Sequence, residues 1–497
     1  MQQVQPDMQT SAWYMPPSSS RRRTHSLLLG AAIGITAGAV GVLIALGGPL
    51  VAAAAVFGAL AALYMLTNIN AALYAIIAVL ALLPFGTFPF DILITPTLLD
   101  GAIGAFLLVY LLQWMRGNRR SFRLTPVHLL LVLYTAWLIF SFIFGLRFGS
   151  ITTTVARQFA GTLLAIGMVF ILVDLLREPV MLRRLLLLML IGVGIQAVMA
   201  IILYAMPDPA AERTLIRLAR IGYPNGGVIR YVEDDPNDNE RAIGTFIDPN
   251  VLGGFLAILA SMIAPQVFAR QPVVRWRWAA LAVLSIVIIA LILTFSRAAM
   301  VGFAAGIAFI GLFRGYRRFH LLLLVGLVLL LVLPQTRAYI DRFAQGLTGQ
   351  DLATQMRLGE YGDALELISR YPLTGIGFTG TPEADLYTDV ASMYLIMANQ
   401  IGVTGVVLFL LSMAGVFIYG LVAWRHIRHF EPLIGPFIGF HAALVTVLLN
   451  SIADLYYFRL DFQPSITLLW LVVALCISTS RTGISLAAAP NPASGKS

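Results

Sequence analysis

Two arginines stand where this chain can least easily solvate them. Arg297 lies in Leu293-Thr294-Phe295-Ser296-Arg297-Ala298-Ala299-Met300, between two apolar runs with no polar loop around it. An unpaired guanidinium at membrane depth costs roughly 2.5 kcal/mol or more, so such a residue either serves a function or snorkels to an interface. Arg241 opens the stretch Arg241-Ala242-Ile243-Gly244-Thr245-Phe246-Ile247-Asp248-Pro249-Asn250. Pro249 suits the first position of a helix and Asp248 its cap. A helix N-terminus beside an arginine can bind a phosphate, because backbone N–H groups and a guanidinium then face the same anion. Capping alone accounts for Asp248-Pro249-Asn250 but not for Arg241.

Other chemistries find less support. The acidic run Glu233-Asp234-Asp235-Pro236-Asn237-Asp238-Asn239-Glu240 fails as a calcium loop. Counted from Asp235, the required glycine is Glu240 and the required glutamate is Phe246, so the run reads as a solvated acidic turn. The six histidines form no His-x-x-x-His pair or His/Cys cluster, and Cys476 is the lone cysteine, so no metal set and no cofactor is implied. Thr374-Gly375-Ile376-Gly377-Phe378-Thr379-Gly380 is a glycine-rich turn, but it follows a helical pattern rather than a strand and opens no Rossmann unit.

The elements that must hold these residues are membrane spans. Hydrophobic residues make up 59% of the 497 and charged residues only 11%. The apolar residues fall in blocks of about 15 to 25, each long enough to cross the hydrocarbon. The expected fold is an all-α integral membrane protein, a polytopic helical bundle of about 14 transmembrane helices. Candidate spans are 26–46, 49–66, 70–84, 98–115, 127–146, 155–176, 180–206, 249–269, 278–295, 298–313, 320–334, 390–423, 433–452 and 463–480.

Arginine placement gives the orientation. With the N-terminus in the cytoplasm, 20 of the 33 basic residues fall in short inside joints and tails, as the positive-inside bias requires. Both ends, 1–25 and 481–497, then become cytoplasmic disordered tails. Two long segments, 207–248 and 335–389, become extracytoplasmic loops between the groups of spans at 26–206, 249–334 and 390–480. Loops of that length in a compact bundle carry function. Within the second, 357–368 has apolar positions at helical spacing and reads as an amphipathic helix on the membrane surface. The net charge of +9 thus has a membrane explanation, and no basic face suited to nucleic acid is present.

Taken in order, these pieces resemble the O-antigen ligase and O-antigen polymerase superfamily of bacterial envelope proteins. The similarity rests on Arg241 to Asn250, on Phe295-Ser296-Arg297, on Arg357 to Gly377 with its Tyr371-Pro372-Leu373-Thr374-Gly375-Ile376-Gly377, and on Tyr394-Leu395 followed by Asn399-Gln400-Ile401-Gly402-Val403-Thr404-Gly405. The resemblance covers residues 180–425 and implies a metal-independent membrane glycosyltransferase. Its substrate would be an undecaprenyl diphosphate-linked oligosaccharide, used for O-antigen, capsule or exopolysaccharide at the outer face of the bacterial cytoplasmic membrane. Other polysaccharide-assembly proteins would be its partners. By motif position Arg241, Arg297 and Arg357 would hold the diphosphate, while Tyr394, Gly375 and Gly377 would belong to the loop that receives the acceptor. The chain departs from the ligases at one place: they carry a histidine just before Tyr-Leu, where this sequence reads Ala391-Ser392-Met393-Tyr394-Leu395. That favours polymerisation over ligation to a lipid or protein acceptor, and leaves Asp389, Asp385 and Glu383 as candidate bases. A transporter or flippase and a non-catalytic scaffold are the readings from other classes.

Overall fold

A computed structural model describes residues 56, 58, 60–88, 95–117, 122–332, 348, 352–380 and 389–488. The chain divides into two units, Met1–Thr67 and Asn68–Ser497, and the architecture below is that of the second. Its helices are α1 (Ile69–Leu82), α2 (Leu98–Met115), α3 (Pro126–Gly145), α4 (Thr153–Leu175), α5 (Pro179–Ala205), α6 (Asp208–Ile216) and α7 (Pro249–Ile263). There follow α8 (Arg277–Leu293), α9 (Arg297–Gly311), α10 (Arg318–Val332), α11 (Leu352–Arg370), α12 (Met393–Ile427), α13 (Glu431–Asn450) and α14 (Gln463–Ala488). Among the described residues the strands are β1 (Arg230–Tyr231) and β2 (Glu240–Arg241), an antiparallel pair between α6 and α7. This is an all-α membrane protein: among the described residues eight helices are long and apolar enough to cross a bilayer, and α1, α8, α9 and α10 are shorter apolar helices.

Each expected span from residue 70 onward falls on one of these apolar helices. The expected spans 26–46 and 49–66 lie wholly or mostly outside the described residues. One boundary is corrected: α14 runs to Ala488, beyond the expected end at 480. The extension is held by packing, with Arg481 and Thr482 buried and the Thr482 hydroxyl donating to the Ser478 carbonyl at 2.8 Å. The amphipathic pattern at 357–368 is part of α11, which buries Ala364 and Leu367 and leaves Met356, Leu358 and Leu365 exposed.

Burial separates a core from a lipid-facing shell. In α7, continued by a 3-10 turn to Val267, 89% of the apolar window is buried, and in α13 and α14 72%, whereas in α3 it is 33%. Small residues let the core helices approach. A Cβ at Gly302 of α9 would stand 2.9 Å from the Thr446 carbonyl oxygen of α13, and one at Gly306 would meet the Thr446 and Ser261 hydroxyls. Ser261 of α7 and Thr446 are themselves bonded at 2.7 Å. This is the small-xxx-small packing by which helices associate in lipid.

α12 is interrupted. Gly402 sits at φ +70°, dividing the helix into a short and a long leg, and the carbonyls freed by the break are satisfied by the glycine-rich turn. Ile376 N donates to Asn399 O and Gly377 N to Gln400 O, both at 2.8 Å, while Val403 N donates to Pro372 O at 2.8 Å. Trp137 Nε1 of α3 donates to Ile401 O at 2.8 Å. Satisfying freed backbone groups in this way is the condition on which a broken helix is tolerated in a membrane.

A side chain at Gly402 would collide with the Leu373 carbonyl. With ψ at 171°, this positive-φ backbone is essentially restricted to glycine and alone costs any other residue about 1–3 kcal/mol. Gly402→Ala is therefore expected to lower the thermal midpoint of the detergent-solubilised protein, whereas Gly167→Ala, with nothing within 4 Å of its would-be Cβ, leaves it unchanged or raised.

Candidate functional site

The loop carrying Arg241 is pinned at three points. Thr87 N donates to Ile221 O at 2.8 Å, the Thr245 hydroxyl donates to Leu82 O at 2.8 Å, and Ala242 N donates to Leu293 O at 2.8 Å. These bonds bring the α1–α2 joint, the loop after α6 and the end of α8 to one end of the bundle. Arg241 is then locked in place: its Nε donates to the Thr294 carbonyl at 2.9 Å and its Nη2 to Asn250 Oδ1 at 2.7 Å. Asp248 caps α7 by accepting from Asn250 N at 2.7 Å and Val251 N at 3.1 Å. The expected cap is thus present, and Arg241 has the partner that capping alone did not give it.

Arg297 is the first residue of α9, three positions past the carbonyl that Arg241 grips. Ser296, its cap position, makes no side-chain capping bond and is buried. Both helix starts are reached through non-glycine residues in left-handed conformation, Ile247 at φ +66° before Asp248 and Phe295 at φ +53° before Ser296. A branched residue there is a genuine outlier, and such strain is kept where the surroundings over-determine it, often at functional sites. The two helix N-termini meet through Gly253, whose Cβ would stand 2.8 Å from that of Ser296.

The twelve-residue link between α13 and α14 completes the cluster. A Cβ on Gly254 would meet the Tyr457 hydroxyl and Asn450 Nδ2, which are bonded to each other at 2.9 Å. Tyr456 donates to Asp248 Oδ1 at 3.3 Å. Between them lies Asp454, 3% exposed, with its Oδ2 lacking a hydrogen-bond partner among the described residues. Burial pushes its carboxyl up to about 8, against the pull of Arg357, of Arg241 and of a side-chain hydrogen bond from Asn450, and with a push from Asp248. A carboxyl with that balance can hold and release a proton near neutral pH. Arg357 approaches from α11, whose Tyr361 hydroxyl donates to Ala391 O at 3.3 Å and whose Glu360 accepts from Ala391 N at 3.0 Å. Arg241 and Arg357 both lie near enough to act on the charge of Asp454. In β2, the Glu240 carboxyl is likewise raised, to about 7, by burial and by Asp208.

The remaining residues singled out from sequence are distributed as follows. Asp389 is ion-paired with Arg459 at 3.2 Å, and Arg459 also holds Asp461 at 2.9 Å. Asp385 and Glu383 lie outside the described residues. The Tyr394 hydroxyl donates to Leu448 O at 2.8 Å, joining α12 to α13. Gly375 and Gly377, at φ +65° and +79°, belong to the turn that fills the break in α12, and a Cβ on Gly375 would stand 2.5 Å from the Gln400 carbonyl carbon. Sequence reasoning passed over Asp454, because in Asp454-Leu455-Tyr456-Tyr457 it reads as a short solvated joint. The only available signal was the aromatic pair after it.

Residues 280–410 match a family model described as O-antigen ligase. The matched stretch includes Arg297, Arg357 and Tyr394, while Arg241 and Asp454 fall on either side of it. No curated protein matches the chain.

Asp454 also sets a stability trend. Its folded value near 8 lies above the ordinary carboxylate value of about 3.9, so the folded state holds the proton more tightly. The associated stability is complete at low pH and is lost as pH rises through the interval up to about 8. Thermal melts in detergent should show the midpoint falling across that interval, and Asp454→Asn should flatten the slope.

Proposed function

We propose that this O-antigen ligase-like chain is a polysaccharide polymerase, transferring an oligosaccharide from undecaprenyl diphosphate to the hydroxyl of a second carrier-linked unit. The reading rests chiefly on the juxtaposition of a buried carboxylate, its Oδ2 without a hydrogen-bond partner among the described residues, with the guanidinium groups of Arg241 and Arg357. The matched family stretch supports glycan processing in general. The arginine bias supports fourteen spans, both termini in the cytoplasm and this site at the outer face of a bacterial cytoplasmic membrane.

In this scheme the acceptor hydroxyl gives its proton to Asp454 Oδ2 while its oxygen bonds to the anomeric carbon of the donor sugar. The bond from that carbon to the diphosphate oxygen breaks, and the electron pair leaves with the diphosphate. Arg241, Arg297 and Arg357 receive the negative charge that develops on the leaving group. Guanidinium groups held rigidly in a poorly solvated site stabilise such charge without reorganising. Two anchors on Arg241 hold its plane fixed, which a lysine could not reproduce. Asp454 would take the place of the histidine that the ligases carry before Tyr-Leu.

Purified protein supplied with carrier-linked units should consume them and release undecaprenyl diphosphate, whereas a flippase would move the carrier intact. Arg241→Ala and Arg297→Ala should abolish extension with expression unchanged, and Asp454→Asn should slow it by about 10²–10⁴-fold. The wild-type rate should climb as pH rises through about 8 and Asp454 loses its proton. Wild-type glycan length in both arginine variants would refute the diphosphate role.

A further inference from the structure

The opposite end of the bundle carries a second feature that the glycan chemistry does not use. A cavity of about 870 Å³ opens between α9, α12 and α13, within the range of small-molecule sites. Its walls are aromatic. Phe309 meets Phe313 at 5.4 Å between centroids, Phe313 meets Trp424 at 4.8 Å, Trp424 meets Phe437 at 5.5 Å, and Phe437 meets His441 at 4.1 Å. Phe417 closes the circuit, 6.1 Å from His441 and 6.4 Å from Phe309. At its base His441 is 2% exposed; Nδ1 lies 2.8 Å from the Phe437 carbonyl, and Nε2 has no hydrogen-bond partner among the described residues. Leu312 and Leu421, both lining the cavity, are 70% exposed, so it opens sideways toward lipid.

The mouth is cationic. Arg270, Arg314 and Arg428 line it together with a single carboxylate, Glu431, which is already bonded to Arg270 at 3.0 Å. No carboxylate pairs with Arg314 or Arg428 among the described residues, and both are exposed. From Glu431 to His441 the helix rises about 15 Å, half of a hydrocarbon core of about 30 Å. That depth fits the acyl chain of one leaflet and is far too shallow for a long polyprenyl chain.

We propose that this groove is a binding site for an anionic glycerophospholipid, its phosphate held by Arg314 and Arg428 and one acyl chain lying along the aromatic slot. Charge at the interface, apolar aromatic walls and leaflet-deep length are the three properties such a lipid requires. The site depends on nothing proposed for glycan transfer.

The test uses the full-length protein, delipidated in mild detergent and titrated by native mass spectrometry with dioleoyl phosphatidylglycerol, dioleoyl phosphatidylethanolamine or undecaprenyl phosphate. Phosphatidylglycerol should bind as one retained molecule, at least ten-fold tighter than phosphatidylethanolamine. The double variant Arg314→Gln/Arg428→Gln should weaken it by roughly thirty-fold, the effect of two interfacial charges. Arg317→Gln/Arg425→Gln, which removes the same charge from exposed positions outside the lining, should change it less than two-fold. Equal binding of the two phospholipids, equal weakening by both double variants, or preferential undecaprenyl phosphate binding lost in the lining variant would each overturn the proposal.

Discussion

One guanidinium joins three parts of the chain that are far apart in sequence. Arg241 reaches from a two-residue strand to the carbonyl of Thr294, at the end of α8, and to the side chain of Asn250, in the first turn of α7. Carbonyls at a helix C-terminus and N–H groups at an N-terminus have no partners within their own helix. In a bundle poor in charged residues, such groups are expensive to leave unsatisfied. Arg241 satisfies one of them, and so brings the start of α7 beside the joint from which Arg297 begins α9. The remainder of the site follows. Gly253 and Gly254 of α7 allow that joint on one side and Tyr457 on the other to close in, and Asp454, three residues before Tyr457, is buried.

The same requirement shapes α12. A single unbroken helix would have satisfied its backbone without assistance. Instead Gly402 opens it, and the turn at 374–380 supplies the missing donors, with Ser141 of α3 donating to Gln400 O at 2.8 Å. The result is a rigid splice between the loop carrying α11 and the first turns of α12. Through Tyr361 and Glu360 that splice holds Ala391 and, with it, the approach of Arg357 to Asp454. The glycines at 375 and 377 shape that support.

How much of this could be read from the residues follows from the range over which each signal acts. The apolar helices from residue 70 onward were legible because hydropathy is a local property, and Asp248 was legible as a cap because capping involves its immediate neighbours. Joints expected on one side also meet one another. Arg183, at the start of α5, donates to the carbonyls of Gln271, Pro272 and Pro432, all in joints assigned to the same face. Asp454 was not legible, because what distinguishes it is burial by residues from other helices, and a carboxylate in a twelve-residue link looks like any solvated acid. The break at Gly402 was hidden for a similar reason, since a glycine within an apolar run is common in spans and only the incoming turn makes it a kink. The aromatic groove is assembled from three helices and has no sequence signature at all.

Spacing between Asp454 and the cations decides whether the cluster can act as proposed. If Asp454 formed a direct ion pair with Arg241 or Arg357, the pairing would pull its carboxyl below the ordinary carboxylate range, and it would no longer accept a proton from a sugar hydroxyl. If the arginines were remote, burial alone would hold it protonated well above neutral pH. The observed arrangement falls between these limits. Arg241 is engaged by a carbonyl and an amide, so it does not collapse onto the carboxylate, yet it remains near enough to oppose the burial penalty. In the proposed transfer a diphosphate entering between them would draw on the arginines, and its departure would return them to Asp454, so the proton affinity of Asp454 and the charge on the leaving group would be coupled through the same guanidinium groups. That coupling needs rigid arginines, and rigidity is what the backbone anchor at Thr294 provides.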